Sequence, residues 1–322
     1  MYYLTTYIEN LVSGNSSSST NVITLTTNST CTNTLAYDGT TDANLRYVGA
    51  DPCNYVNFNG ETWRIIGVMN NIKTATSDTS GETRIKLIRS ESIGTLAVSA
   101  ESSSRNNNWP DAPLQTMLNS GAYYNNTTGS YKYISLEYNA KYTSASPTTV
   151  NVNFTSNGLN TGKTYIDDAV WTLGATSSYY ASATPATFYT SERSTTVRSG
   201  NDTTWTGKVA LMYASDYGYA TAGSSDSVRT SCINTYYLGY NSSNTSNSWR
   251  NQSNCQDYDW LFMDGSWFLN HTTDYGSVML NVNDTYNVTW RYVHNATGVQ
   301  PVVYLKANVL YASGSGTEND KY

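Results

Sequence analysis

The sequence predicts an α+β domain with antiparallel hairpins, two short helices and long irregular loops. Three observations predict this class: several short β-branched and aromatic segments, few segments with helical periodicity, and long Ser- and Asn-rich connections. The chain has 322 residues, of which 39% are hydrophobic, and can bury a large core. We expect one domain over residues 31–312, an N-terminal helix or strand with a polar linker over 1–30, and a flexible tail over 313–322.

Four strands are predicted from runs of β-branched and apolar residues. Segments 63–69 (WRIIGVM) and 84–89 (RIKLIR) flank a polar, glycine-containing stretch, and this arrangement favours a hairpin with a long loop. Segments 208–213 (KVALMY) and 301–305 (PVVYL) have a similar composition and predict two more strands.

Two helices are predicted from apolar spacing and end signals. Segment 109–119 carries Pro110 in its first turn and an apolar face further on. Segment 164–174 begins with a capping-box pattern at Thr164 and Asp167. The apolar face of this second helix is expected to be Tyr165, Ile166, Ala169, Val170 and Leu173.

The N-terminal region is rich in Ser, Thr and Asn. Its first residues place Tyr3, Tyr7, Ile8 and Leu11 at helical spacing, which is typical of a short packed helix, although a frayed terminus fits equally well. Residues 13–30 have no helical periodicity and predict a flexible or edge-strand linker.

Charge and hydropathy exclude two classes of partner. The net charge is −6 and no Lys/Arg cluster is present, whereas a nucleic-acid partner requires a basic surface. No apolar run reaches the roughly 20 residues that a membrane span needs, so no membrane span is expected in this chain. The first residues also lack the pattern of a signal peptide, and we expect any targeting segment to have been removed.

The four cysteines fall into two local pairs in polar sequence. Short loops favour bonds between Cys31 and Cys53 and between Cys232 and Cys255, although four cysteines allow three connectivities. Disulfides predict an extracellular protein, while the alternative is four free thiols in a cytosolic one.

Signals of catalysis and of metal or cofactor binding are weak. The two histidines, His271 and His294, are not in a metal-binding spacing, and neither a Gly-x-Ser-x-Gly motif nor a phosphate-binding glycine loop occurs. Asp257, Asp259 and Asp264 lie close in sequence without the EF-hand spacing and predict turns rather than a calcium site. We therefore predict no enzymatic activity, no cofactor and no metal.

The order of several short motifs resembles a group of bacterial surface proteins of uncharacterised function, many of them tethered by a pilin-like N-terminal segment. These motifs are WRIIGV (63–68), IKLI (85–88), Trp109 with Leu118-Asn119, DAVW (168–171), GYA (218–220) and DWLF (259–262). The last motifs, GSW (265–267) and GVQPV (298–302), are similar to the end of the C-type-lectin-like fold shared by formylglycine-generating enzymes and retroelement-diversified receptors. The resemblance covers roughly residues 45–306 and implies a C-type-lectin-like domain displayed on a bacterial cell surface.

The chain departs from these families at informative positions. Gln300 stands where the family usually carries Arg before the proline, and the calcium and sugar motifs of animal lectins are missing, so calcium-dependent sugar binding is not expected. No cysteine follows Cys255, whereas formylglycine-generating enzymes work through cysteines near the C-terminal core, and this activity is only a remote alternative.

By this resemblance, the region 268–297 is the ligand-binding face, with aromatic and amide side chains suited to a paratope. The candidate ligand-binding residues are Trp267, directly before this region, and Asn270, Tyr275, Asn283, Tyr286 and Trp290 within it. The alternative is that they are ordinary β-edge and loop residues. Glycosylation motifs in the same third of the chain lie at Asn241, Asn244, Asn251, Asn270, Asn283, Asn287 and Asn295.

The predicted function is non-enzymatic adhesion or ligand binding outside the cell. The partner would be a surface ligand, such as a glycan or protein of a host or another cell. The rival is a structural subunit of a surface filament or coat, in which polar, Tyr-rich faces bind further copies of the chain.

Overall fold

A computed structural model describes residues 2–25, 31–99, 106–119, 162–177, 181–263 and 265–322. Over these residues the fold is α+β, and every pairing between two named strands is antiparallel. The predicted class is therefore confirmed at this level. The expected number of helices was wrong, since the described residues form six α-helices rather than two.

The strands form one large sheet and three small ones. They are β1 (Ile23–Leu25), β2 (Asn33–Tyr37), β3 (Leu45–Tyr47), β4 (Tyr55–Phe58), β5 (Glu61–Ile72), β6 (Glu82–Arg89), β7 (Thr95–Leu96), β8 (Ala169–Thr172), β9 (Thr204–Gly207), β10 (Val209–Ala210), β11 (Trp267–His271), β12 (Val278–Val282), β13 (Val288–Tyr292), β14 (Thr297–Gly298) and β15 (Val302–Tyr304). The eight-stranded main sheet has the order β1-β2-β3-β5-β6-β15-β10, with β4 also paired to β5. The small sheets are β11-β12-β13, β7-β14 and β8-β9.

The helices are short and pack around the sheets. They are α1 (Leu4–Leu11), α2 (Pro113–Asn119), α3 (Pro185–Glu192), α4 (Ala214–Tyr219), α5 (Asp226–Asn234) and α6 (Ser253–Gln256). Helix α1 contacts β5 and β6, α2 contacts β10, and α4 contacts both α3 and β11. None of the described helices has the length and apolar character needed to span a membrane.

All four predicted strands are present. The segments 63–69 and 84–89 lie within β5 and β6, which pair along most of their length. The central residues of both strands, 65–69 and 84–88, are buried, which explains the apolar run in β5 and the apolar residues Ile85, Leu87 and Ile88 in β6. The segments 208–213 and 301–305 contain β10 and β15. The first predicted helix is also present, as a 3₁₀ turn over Trp109–Asp111 followed by α2.

The second predicted helix is wrong. Residues Gly162–Tyr165 form a 3₁₀ turn, and Ala169–Thr172 form strand β8, which pairs with β9. Ala169 and Trp171 are buried whereas Val170 and Thr172 are half-buried, which is the two-residue period of a strand. The apolar residues of this segment fit the spacing of a helix as well as that of a strand. The strand forms because β9, which is distant in sequence, supplies backbone hydrogen-bond partners.

The two ends of the chain contact the sheets. In α1 the buried face is formed by Leu4, Thr5 and Ile8, whereas Tyr3 is 50% exposed. Within the expected linker, β1 is the edge strand of the main sheet, and residues 26–30 lie outside the described part. At the other end, for which we expected a flexible tail, the backbone N–H groups of Tyr322 and Asn57 donate to the carbonyls of Tyr55 and Tyr322, so these last residues lie beside β4.

Candidate functional site

Four neighbouring strands place four residues side by side on the main sheet. Arg46 of β3 pairs with Gly67 of β5, Gly67 with Lys86 of β6, and Lys86 with Tyr304 of β15. Residues that face each other across a sheet point to the same side, so the Arg46 and Lys86 side chains extend in the same direction. Gly67 lies between these two cations and has no side chain to separate them.

Asp216, in the first turn of α4, binds both cations. Its Oδ1 accepts a hydrogen bond from Nη1 of Arg46 at 2.7 Å, and its Oδ2 lies 2.5 Å from Nζ of Lys86. The backbone N–H of Tyr213 also donates to Oδ2, at 3.0 Å. The three charged side chains are only 1–2% exposed. Burial by itself would raise the pKa of Asp216, but the adjacent Lys86 and Arg46 charges lower it to about 2.

A second carboxylate completes the cluster. Nε of Arg46 donates to Oδ2 of Asp38 at 3.1 Å, and Asn44 donates to the same oxygen. Thr40 donates to the other oxygen of Asp38 through its backbone N–H and its hydroxyl. We call Asp38, Arg46, Lys86 and Asp216 the buried charge cluster. Its two cations and two anions balance, which is the condition under which four charges are tolerated in a protein interior.

Aromatic rings surround the Lys86 ammonium. Its Nζ lies 4.5 Å from the ring centroid of Tyr213, 5.4 Å from that of Tyr304 and 5.5 Å from that of Trp171. Burial in this apolar setting lowers the pKa of Lys86 to about 8, although Asp216 opposes the shift. Lys86 is therefore much closer to losing its proton than an exposed lysine.

Tyr213 and Tyr304 also line a cleft of about 510 Å³. The cleft lies beside the end of β5 and the β8-β9 sheet, and most of its lining residues are polar, with apolar surface from residues such as Ile72 and Val170. Among its lining residues are Thr41, Asp42, Asn71, Lys73, Thr172 and Arg193. Hydroxyls, amides and both signs of charge therefore face one concave surface.

The charged groups of this cleft are held in place. Nε of Arg193 lies 3.4 Å from Oδ2 of Asp42, and the Arg193 guanidinium lies 3.3 Å from the ring centroid of Tyr189. The Tyr189 hydroxyl donates to Asp42 as well. Because Arg193 is about 30% exposed at its side chain and Asp42 about 19%, both still reach solvent in the cleft.

Two of the six residues predicted for ligand binding are buried. The Asn270 side chain accepts from the backbone N–H of Ala214 at 2.8 Å and donates to Oε1 of Glu192 at 2.9 Å, and it is 3% exposed. Trp267 donates through Nε1 to the carbonyl of Leu96 and is 1% exposed. Both residues join β11 to its neighbours, and neither reaches the surface to contact a ligand.

Two more of the six have structural contacts. Asn283 accepts, through Oδ1, hydrogen bonds from the backbone N–H groups of Thr285 and Asn287, and so shapes the turn between β12 and β13. Tyr286, in this turn, has a φ of +62° and stacks on Phe262 at 3.9 Å between centroids.

The remaining two, Tyr275 and Trp290, are 61% and 43% exposed. Tyr275 lies in the connection between β11 and β12, Trp290 lies on β13, and neither lines the cleft. The structure therefore separates the predicted face, on which Tyr275 and Trp290 are exposed and Asn283 and Tyr286 half-buried, from the concave site.

The glycosylation motifs differ in accessibility. Asn270 and Asn287 are 3% and 2% exposed, so the folded domain has no room for a glycan at either. Asn244 and Asn251 are exposed, and Asn241, Asn283 and Asn295 are half-buried.

The two disulfides follow the predicted pairing. Cys31 is bonded to Cys53 and Cys232 to Cys255, and no free cysteine remains. Disulfides persist in oxidising compartments, so both are consistent with an extracellular protein.

The structure also shows the surroundings of His271 and Gln300, which the sequence analysis singled out. His271 is buried, and burial lowers its pKa to about 4. Gln300 is 7% exposed and accepts, through Oε1, a hydrogen bond from the Ser266 hydroxyl at 2.6 Å, so an internal hydrogen bond occupies the position where the family resemblance expects Arg. Asp264 lies outside the described residues; within them, no three His, Cys, Asp or Glu side chains are arranged as metal ligands.

Sequence reasoning missed the buried charge cluster. One signal was available: Lys86 stands between Ile85 and Leu87 in an apolar strand that is otherwise suited to burial. A lysine in such a strand requires an acidic partner. The sequence does not show that Asp216, 130 positions later, is this partner.

No protein-family model matches the chain, and comparisons with curated proteins and with solved structures gave no significant match.

Proposed function

We propose that this chain is a non-enzymatic extracellular binding protein that takes a saccharide in the cleft beside Tyr213 and Tyr304. The observation that carries this proposal is the cleft itself, whose volume of about 510 Å³ suits a small ligand. Its lining combines donors and acceptors of hydroxyl, amide, carboxylate and guanidinium type. A saccharide presents hydroxyls that both donate and accept, and a mixed lining of this kind matches it.

The scaffold beneath the cleft supports a binding role. The buried charge cluster fixes α4 to the main sheet, and Tyr213 precedes that helix directly. Tyr304 belongs to β15, inside the same sheet. A rigid support lowers the entropy cost of ordering binding residues when a ligand arrives.

A C-type-lectin-like fold and display on a bacterial surface are the wider setting that we propose. The α+β class, the two disulfides and the Gly-Ser-Trp and Gly-Val-Gln-Pro-Val motifs support it. Ser266 and Gln300, one from each motif, are hydrogen-bonded to each other.

The test is binding to an array of defined oligosaccharides, followed by calorimetry with any that are retained. Thr204→Trp, which places an indole at the lining of the cleft, should abolish retention. Trp290→Ala, on β13 away from the cleft, is the matched control and should bind as the unaltered protein does. Both variants should keep the circular dichroism spectrum of the parent.

Two results would reject the proposal. If no saccharide binds even at millimolar concentration, the ligand class is wrong. If Trp290→Ala loses binding while Thr204→Trp keeps it, the ligand lies on the small sheet, as the family resemblance suggested.

A structural subunit of a surface filament or coat is the second candidate. Among the described strands, β13 pairs with β12 on one side only, and its other side forms an isolated bridge, between Val288 and Gly239. Trp290 and Tyr292 on this strand are 43% and 40% exposed. An accessible strand edge with exposed aromatic side chains favours pairing with another chain.

Negative-stain microscopy of purified protein separates the two candidates. A filament subunit should form regular polymers without added ligand, and Trp290→Lys should dissolve them. Monomers at all concentrations in analytical centrifugation would exclude self-assembly.

A further inference from the structure

We propose that Lys86 and Asp216 form an intramolecular isopeptide bond, which joins strand β6 of the main sheet covalently to helix α4. This inference is independent of the proposed saccharide site. It rests on the placement of a nucleophilic amine against a carboxylate, in an interior from which water is excluded.

The geometry brings the reacting groups together. Nζ of Lys86 lies 2.5 Å from Oδ2 of Asp216, and both side chains are 2% exposed. The pair is closed off by the rings of Tyr213, Tyr304 and Trp171. Holding two reactants in contact in this way replaces a bimolecular encounter with an effectively unimolecular step.

The condensation balances within the pair. The ammonium of Lys86 carries three protons and the carboxylate of Asp216 carries none. Two of these protons pass to Oδ2, Nζ bonds to Cγ, and the Cγ–Oδ2 bond breaks to release one water. The product is a neutral secondary amide that retains the third proton on nitrogen, and no oxidant, reductant or other reactant is required.

Neighbouring groups assist each part of this step. Nη1 of Arg46 donates to Oδ1 of Asp216, where negative charge develops when nitrogen adds to Cγ, and a fixed donor at that position stabilises the intermediate. The lowered pKa of Lys86 brings its amine closer to the unprotonated, nucleophilic form. Asp216 is ionised before the step, so both protons that its departing oxygen needs come from Lys86.

The surroundings also favour the product. Two buried charges of opposite sign disappear, and with them the cost of keeping both out of water. Arg46 keeps Asp38 as its partner at 3.1 Å, so the remaining pair is still neutral. The released water passes to bulk solvent, where it forms its full set of hydrogen bonds.

The decisive measurement is the intact mass of the folded, full chain after denaturation and reduction of the disulfides. We expect a mass lower than the sequence mass by one water. Tryptic digestion should then give one branched peptide that contains both Lys86 and Asp216, without cleavage after Lys86. The full sequence mass, with linear peptides cut after Lys86, would overturn the proposal.

A variant of Lys86 tests whether this residue takes part in the loss of water. Lys86→Arg keeps the positive charge and the ion pair but supplies no amine, so it should show the full sequence mass. If it still lacks one water, the dehydration lies elsewhere and the proposal is wrong. Loss of water within a linear peptide, such as cyclisation of Asp38 at the adjacent Gly39, would overturn it equally.

The chain provides a matched control pair. Nζ of Lys208 lies 2.7 Å from Oδ1 of Asp168, but these side chains are 35% and 50% exposed. The distance between the two groups is similar to that of Lys86 and Asp216, but Lys208 and Asp168 are in contact with solvent. We therefore expect no cross-link between them, and both residues should appear in linear peptides. A cross-link at Lys208 as well would show that proximity alone suffices and that the buried site has no special role.

Discussion

Arg46 and Asp216 are hydrogen-bonded at 2.7 Å although 170 positions separate them in the chain. One lies on β3 in the main sheet and the other in the first turn of α4. Both are almost fully buried. This contact ties the N-terminal half of the sheet to the helix that follows β10, and it places Tyr213 at the cleft.

Removing the Arg46 guanidinium should destabilise the fold strongly. Arg46→Leu leaves Asp38 without its ion-pair partner and the cluster with an excess negative charge, and breaking a buried pair from one side costs about 3–5 kcal/mol. Urea unfolding followed by circular dichroism measures the loss. Lys208→Met, which removes an exposed ion pair with Asp168, is the control and should cost less than about 1 kcal/mol. Equal effects would show that the cluster is not a stabilising centre.

Truncating Trp171 should create a large cavity. Its side chain is 1% exposed, and its ring lies 4.8 Å from that of Tyr304, centroid to centroid. We expect Trp171→Ala to lower the free energy of unfolding by about 3–5 kcal/mol. The same truncation at Trp290, which is 43% exposed, should cost less than about 1 kcal/mol. An unchanged melting temperature for Trp171→Ala would contradict the packing of β8 on β15.

Opening the second disulfide should weaken the C-terminal half. The bond between Cys232 and Cys255 joins α5 to α6 and closes a loop with a sequence separation of 23. Replacing both cysteines by serine should lower the free energy of unfolding by about 2–4 kcal/mol, because the unfolded chain regains freedom. Non-reducing peptide mapping checks the pairing itself, and four thiols open to alkylation in the native protein would refute it.

Mild acid should act on the fold through His271. Its pKa is about 4 in the folded protein against an ordinary value of 6.5, so the unfolded chain binds the proton more readily. The contribution of this neutral histidine is complete above pH 6.5 and is lost as the pH falls towards 4. From the size of this shift, the loss amounts to about 3 kcal/mol.

The matched variant is His271→Gln, which has no titrating group at this position. Measured in urea between neutral pH and the folded pKa, the stability of the parent should fall more steeply than that of the variant. Parallel curves would show that His271 is accessible to protons in the folded state.

The sequence by itself determined the class of the fold, the disulfide pairs and several elements. Strands β5 and β6 have apolar, β-branched sequences that suit a buried sheet, and this signal is local. The cysteine pairs are close in sequence, and the closure entropy of short loops favoured them over the other connectivities. From the composition we also expect no nucleic-acid partner, because the net charge of −6 offers no basic surface to phosphates.

The tertiary structure alone decided the register of the strands and the identity of the buried polar residues. Segment 164–174 fits a helix by spacing, yet Trp171 lies in a strand because β9 supplies its backbone partners. Asn is a polar residue type that usually lies at the surface, but Asn270 is buried between Glu192 and the backbone of Ala214. Lys86 meets Asp216 only because sheet pairing and helix packing bring distant segments together, and such long-range contacts have no local signature in the chain.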